Sequence, residues 1–450
     1  MTTHDKGGAI DVNRAVHRDP QATLTPLQRR KMLRRAIAGA AFEYYSYSAF
    51  AIFAPFFSGQ FFVTDRPEIA VLNTLMVFAV GFVMRPLSAI LAGRFADRYG
   101  RKPIMLASLG LAAGGSLLLA ITPTYQSIGI AAVVVLIVAR VAQGAGDGAE
   151  SVSGFIYTAE IADRRRRAFH CCAYPAAFML GIIPASLLGV ILTATLTEAE
   201  MQAWGWRIPF ALGAVMGVFV LIMRRSLAEP DAFVQGKAHE AGPEIGKFWT
   251  IVWENRRSVL RLSLLWPAFA LAYFTLAVSY SEYAISYVGA EPNDAYWASL
   301  TAQLLYLVSL PLWAKVSDRF GRRVAYSISL GGLALLVFPL QMMLGPSYWQ
   351  LAIPMSIGLV VWGAAHSSEV AYINELLPNR VRAQVMAIPS SIGAVVFGGT
   401  APYLRTWASV NGSVDWFTAY VVVLCLIALI TTIRLPETKG RDLSEEFAAR

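Results

Sequence analysis

Two groups of charged side chains stand inside sequence that is otherwise apolar, and their chemistry bounds what the chain can do. The first is the run Arg140-Val-Ala-Gln143-Gly-Ala-Gly-Asp147-Gly-Ala-Glu150, which comes after the apolar stretch Ile128 to Ala139. On a helix Arg140, Gln143, Asp147 and Glu150 fall at i, i+3, i+7 and i+10, which is one face. At about 1.5 Å per residue they form a polar stripe roughly 15 Å long. A cation at the centre of a membrane helix costs about 2.5–3.5 kcal/mol, so it must face other helices or a water-filled cavity. The stripe is either a structural ion pair that locks helices together or the polar lining of a transport path.

The second group is Glu43 with its neighbours Tyr44 and Tyr45, and Arg85. Each lies about two turns inside its apolar segment, roughly 12 Å deep, so Glu43 and Arg85 can meet. Asn73, Val77, Gly81 and Arg85 share one helical face, and Glu43, Tyr47 and Phe50 another. A nearby arginine favours the ionised carboxylate and burial favours the neutral acid; the two opposed let a carboxylate exchange its proton in the physiological range. Substrate and proton can then compete for one site, although a permanent Glu43–Arg85 bridge uses the same residues. Arg85 and Arg140 are the two guanidinium groups expected to be buried, and a planar fork suits a carboxylate. This favours an anionic or zwitterionic substrate. Later in the chain Thr275, Ser279, Glu282 and Ser286 align on one face, with Tyr273, Tyr280 and Tyr287 beside them and Glu282 expected near the outer surface. Trp362, His366 and Glu369 align on another helix, where His366 and Glu369 could relay a proton.

The elements that position these groups are legible in composition. The chain has 450 residues, 56% hydrophobic and only 15% charged, with a mean hydropathy of +0.51. Soluble domains carry about 25% charged residues, so a polytopic membrane protein in a lipid bilayer is expected. Apolar segments of about 20 residues begin near Ile37, Ala70, Ile104, Ser127, Ala168 and Ile208, and again near Leu260, Ala295, Val324, Tyr348, Val381 and Trp416. The expected organisation is a tail at 1–30, a six-helix bundle at 31–228, a polar central loop at 229–257, a second six-helix bundle at 258–435 and a tail at 436–450. Arginine and lysine cluster in alternate loops, among them Arg164 to Arg167 and Arg319 to Arg323. The positive-inside rule therefore puts both termini and the central loop in the cytoplasm. The net charge of +9 belongs to this topology rather than to nucleic-acid binding. The first 28 or so residues lack an apolar h-region, so no signal peptide is expected. Cys171, Cys172 and Cys425 sit in apolar runs; neither a disulfide framework nor a metal site is expected.

The halves repeat. Gly93-Arg-Phe-Ala-Asp97-Arg98-Tyr-Gly100-Arg101-Lys102 returns as Ala314-Lys-Val-Ser-Asp318-Arg319-Phe-Gly321-Arg322-Arg323. Two parallel six-helix repeats are a transporter architecture with its site near the midplane. Asp97, Arg98 and Arg101, with Asp318, Arg319 and Arg322, fall at helix ends, where exposed ion pairs could hold the halves shut at little cost to break.

These loops, with Arg140-x-x-Gln143-Gly144-x-Gly146, resemble the signature loops of the major facilitator superfamily. Phe42-Glu43-Tyr44-Tyr45, Gly81-Phe-Val-Met-Arg85-Pro86, Trp204-Gly-Trp-Arg-Ile-Pro-Phe210, Glu375-Leu-Leu-Pro378 and Pro436-Glu-Thr-Lys-Gly440 are similar to its metabolite:proton symporter family. The resemblance spans about residues 30 to 445 and implies twelve transmembrane helices in two pseudo-symmetric bundles. It also implies proton-driven uptake, by a monomer of the cell (inner) membrane, of a small carboxylate or zwitterion without a cofactor. Three positions depart from the family pattern: Ser46 where an aspartate is common, Asp147 where a small or apolar residue is usual, and Ala314 for glycine. A proton-antiport exporter would usually carry Gly-Pro in the fifth helix, which here has Tyr174-Pro175 and Ile183-Pro184. A metabolite sensor would need a signalling extension. An enzyme is not expected, because no nucleotide loop, metal spacing or nucleophile–base arrangement is present.

Overall fold

A computed structural model describes residues 26–99, 101–147, 155–156, 158–159, 162–225, 245–378 and 381–443, with side chains from 37 onward apart from 89–90, 92–102, 105, 147, 224–225 and 245–247. The first half contains α1 (Pro26–Phe61), α2 (Pro67–Tyr99), α3 (Arg101–Ile121), α4 (Ile130–Asp147), α5 (Arg164–Thr195) and α6 (Arg207–Arg225). The second contains α7 (Arg256–Val288), α8 (Pro292–Phe320), α9 (Arg322–Met342), α10 (Tyr348–Leu376), α11 (Arg382–Val410) and α12 (Val414–Arg434). Among the described residues nine segments are long and apolar enough to cross a membrane. With α1 and the shorter apolar stretches at 106–121 and 130–146 they make twelve.

The distribution of side chains is that of a protein dissolved in lipid. Val308, Leu312, Leu335 and Met342 are exposed, whereas Arg140, Arg322, Arg382 and Arg405 are at most 1% exposed. Lipid accepts apolar side chains outside and forces charged ones inward. The sequence points to Arg85 and Arg140 as the buried pair. The structure buries Arg140 but leaves the Arg85 side chain 16% exposed, and it adds Arg322, Arg382 and Arg405 to the buried cations.

Close approach of the helices depends on small residues. A Cβ on Gly144 would stand 2.0 Å from the Gly81 carbonyl oxygen, so α2 and α4 touch backbone to backbone. Two local expectations are revised. The segment expected from Ser127 is broken at Gly129, whose φ of +60° suits glycine and separates a short turn from α4. Helix α7 is not uniform: π-helical segments at Phe274–Val278 and Ala284–Val288 flank a single α-helical piece, Ser279–Tyr283. Each π turn shifts the register of the residues beyond it, so Tyr273, Tyr280 and Tyr287 do not form one face. Glu282 on this helix is 1% exposed, packed among its neighbours.

The two halves meet along α5 and α8, and also where α1 packs on the Ser279–Tyr283 piece and α2 on the last turns of α11. They are bridged at both ends. Arg164–Arg167, Asp318–Arg322 and Glu437–Asp442 gather at one, the basic end. At the far end Tyr296 donates to the Ile52 carbonyl (2.9 Å), and Asn293 to the Val190 carbonyl (3.0 Å) and Thr193 (3.2 Å). The polar groups of the interior therefore lie between two bridged ends.

Candidate functional site

The first polar centre joins α1 and α2. Arg85 Nη2 donates to Glu43 Oε1 at 2.6 Å, with side-chain exposures of 16% and 7%. Arg85 Nε donates to the Tyr47 hydroxyl at 2.8 Å, and the guanidinium lies 4.1 Å from the centre of that ring. Tyr47 stands one turn after Glu43, so α1 offers the guanidinium a carboxylate and a phenol from the same face. The second centre lies alongside. Arg140 Nη1 donates to Gln143 Oε1 (2.7 Å) and Nη2 to the Phe78 carbonyl (3.2 Å), while Gln143 donates to Ser116 (2.9 Å). The Arg140 guanidinium sits 4.5 Å from the Phe50 ring centre and 5.2 Å from that of Tyr47. Tyr47 thus meets both guanidinium groups with one ring. Ser46 donates to the Phe42 carbonyl of its own helix (3.2 Å).

A third centre belongs to α8 and α10. His366 Nε2 is 3.2 Å from Glu369 Oε2, its Nδ1 meets the Tyr306 hydroxyl, and its ring lies 4.0 Å from that of Trp362. Aromatic rings connect it to the first half: Tyr44 stacks on Phe178 at 3.8 Å, and Phe178 reaches His366 at 5.2 Å. Tyr44 also meets Tyr273 edge-on at 5.5 Å.

At the basic end the repeated loop does more than pair with itself. Arg322 donates to Asp318 (2.7 Å) and to both oxygens of Glu375 (3.1 and 3.2 Å). From the other half Arg167 donates to Glu375 at 2.7 Å. Asp318 accepts the backbone N–H groups of Ala168 and Phe169, each at 3.0 Å, and so caps the start of α5 from across the interface. Thr438 donates to Glu375 at 2.7 Å, which brings the segment after α12 into the same knot.

Comparison with known proteins decides the family. The profile described as Major Facilitator Superfamily matches residues 36–288 and 265–449. The chain belongs to the Major Facilitator Superfamily. It is a multi-pass membrane transporter of that superfamily and not an enzyme. It is 30% identical to an alpha-ketoglutarate permease of Escherichia coli (strain K12) over 91% of this chain and 94% of that protein. It is 28% identical to a citrate-proton symporter of Salmonella typhi, over 83% of this chain and 86% of the relative. Identity is also 28% to a putative proline/betaine transporter of Staphylococcus haemolyticus (strain JCSC1435), covering 91% and 88%. The fold matches that of the xylose transporter XylE from E. coli in a partially occluded inward open conformation. The TM-score is 0.73 at 17% identity, over 92% of this chain and 99% of that one.

Within this major facilitator fold the residues singled out by sequence divide. Glu43, Tyr44, Arg85, His366 and Glu369 face buried polar or aromatic contacts near the join of the halves, while Arg140 and Gln143 are held by α2 and α3 within the first half. Tyr45 turns away: its hydroxyl donates to the Pro209 carbonyl (2.6 Å), tying α1 to α6. Tyr280 stacks with Arg405 rather than with the His366 group. The side chains of Asp97, Arg98, Arg101 and Asp147, and Glu150 altogether, lie outside the described residues. Arg319 is exposed and lies over the Phe320 ring, whereas the Arg322–Glu375 pair is at most 1% exposed; the latch expected as exposed pairs is largely buried. The structure adds Tyr47, Phe178, Tyr306, Arg167 and Arg405 to the polar centres, none of which the sequence marks as a site residue. Tyr47 is detectable from its spacing to Glu43, and Arg405 from being a lone cation in an apolar segment.

Proposed function

We propose that this facilitator is a proton-coupled symporter that takes up a small organic acid or zwitterionic metabolite, with Glu43 and Arg85 as the exchange site. The observation that carries the reading is the Glu43–Arg85 contact of 2.6 Å, closed inside the bundle and completed by Tyr47. A proton arriving at Glu43 neutralises the carboxylate and releases Arg85, whose fork is then free to hold a substrate carboxylate in two charge-assisted bonds. When the substrate leaves, Arg85 returns to Glu43 and the proton is given up. The names of the permease and symporter relatives support carboxylates and zwitterions as the substrate class.

Halves at 31–228 and 258–435 rock about this site, with the basic end on the cytoplasmic side and both termini in the cytoplasm. Asp318, Arg322 and Glu375, with Arg167, hold that side shut while the site opens outward. Asp97, Arg98 and Arg101 act as their first-half counterparts, and His366 with Glu369 serves the proton path. Asp147 and Glu150 extend the polar stripe of α4. The chain works as a monomer, without cofactor. Counterflow in proteoliposomes against a panel of carboxylates and betaines tests the substrate class, and a protonophore tests the coupling. Steady-state accumulation unchanged by the protonophore would refute symport.

A further inference from the structure

The second half holds a buried ionisable cluster with no part in this exchange cycle. Arg405 on α11 is 1% exposed. Its Nη1 donates to the Thr275 carbonyl and its Nη2 to Gln341 Oε1, both at 3.2 Å, and its guanidinium lies 4.1 Å from the centres of both the Tyr280 and the Tyr283 rings. Glu282 on α7 is also 1% exposed and accepts one long bond, from Thr406 at 3.4 Å, with the Ser286 hydroxyl close by. Glu282 Oε1 and Arg405 Nε are among the buried polar atoms that find no partner among the described residues. Although Thr406 is next to Arg405 in sequence, no nitrogen of Arg405 comes within 4.0 Å of a Glu282 oxygen.

An ionised carboxylate buried with one weak hydrogen bond is costly, and such a group takes a proton instead. The neutral acid needs little beyond Thr406. The ionised form needs Arg405, whose Nε is unused. The two protonation states therefore call for two positions of Glu282. The backbone allows this, because Glu282 rides on the Ser279–Tyr283 piece with a π segment on each side. That piece packs on α1 of the other half, and the last turns of α11 pack on α2, so movement of either disturbs the closure of the far end.

We propose that Glu282 is a second proton-binding site, distinct from Glu43, whose protonation holds the far end closed and whose ionisation draws it to Arg405 and opens that end. The proton moves between the Glu282 carboxyl and water on the far side, with no other bond made or broken. The groups facing it are Arg405 and Thr406 from α11, Tyr296 from α8, and Tyr283, Ser286 and Tyr287 from α7, with Glu68 of α2 within electrostatic reach of Tyr287. This rests on the proton-coupled reading but is measured separately from it.

The test is infrared difference spectroscopy of the full chain in liposomes between acid and alkaline pH. A carboxylic-acid carbonyl band that fades with rising pH should be missing in Glu282→Gln and retained in Glu43→Gln. A band unaltered in Glu282→Gln overturns the proposal. Thr406→Val, which keeps both charges, should move the midpoint of that band, and an unmoved midpoint likewise counts against it. In transport, losing one of two coupled protons should lower accumulation about fifty-fold at about 100 mV while counterflow continues. Uptake that ignores a protonophore while the band still titrates would remove symport and leave the proton site standing.

Discussion

Arg167 is the place to weigh the basic-end latch, because it is the side chain by which the first half reaches the Glu375 knot. Its Nη1 donates to Glu375 Oε1 (2.7 Å) and to the Arg441 carbonyl (2.8 Å). In Arg167→Gln, Glu375 keeps both contacts with Arg322 and the Thr438 hydroxyl, so no carboxylate is stranded. The loss is then that of a charge-assisted bond between the halves, about 1.5–3 kcal/mol. At about 1.4 kcal/mol per tenfold this moves the balance toward an open basic end by about ten- to hundredfold. Glu375→Gln differs in kind. It leaves Arg167 buried without its carboxylate and Arg322 with Asp318 alone, a cost of about 3–5 kcal/mol that falls on folding itself. Spin labels at Arg165 and Arg319, which line one groove from opposite halves, report the separation. Arg167→Gln should populate longer distances with little change in the melting midpoint, and Glu375→Gln should lower the midpoint. An unchanged distance distribution in Arg167→Gln would refute the latch.

Glu43→Gln is expected to cut gradient-driven accumulation steeply and keep counterflow, since exchange needs no net proton release; wild-type accumulation would leave Glu282, His366 with Glu369, Asp147 and Glu150 as the proton path. Arg140→Lys keeps the charge but loses the planar fork that spans Gln143 and the Phe78 carbonyl, so transport should fall steeply in a protein that remains monodisperse. Gly144→Ala puts a Cβ 2.0 Å from the Gly81 oxygen and should prevent α2 and α4 from closing, read as loss of monodisperse protein in detergent. Tyr45→Phe removes one buried hydrogen bond to Pro209, lowering stability by about 1 kcal/mol while leaving substrate affinity as it was.

The repeated loops, the apolar spans and the rare intramembrane charges are legible in the sequence because lipid penalises exceptions so strongly. Glu43 and Arg85 can be matched by depth alone, and Tyr47 by its one-turn spacing. Glu375 is legible as part of a motif, but its role as a hub between halves requires Arg167 and Thr438, which are distant in sequence. Arg405 can be noticed as a lone cation in an apolar segment, but its neighbour Glu282 is on another helix, so no spacing links the two. The broken register of α7 escapes for a different reason: a π turn adds one residue per turn without any change in residue type to mark it, and periodicity does not register the change.

The bond from Asp318 to the amides of Ala168 and Phe169 has a consequence for how this latch tolerates change. It grips main chain, which every residue but proline supplies identically. Substitution scanning at Phe169, which is exposed, should find the grip indifferent to side-chain chemistry, with proline as the one exception. The recognising partner, by contrast, is confined to a single carboxylate. One side of this handshake is therefore written in the genetic code and the other in the peptide bond.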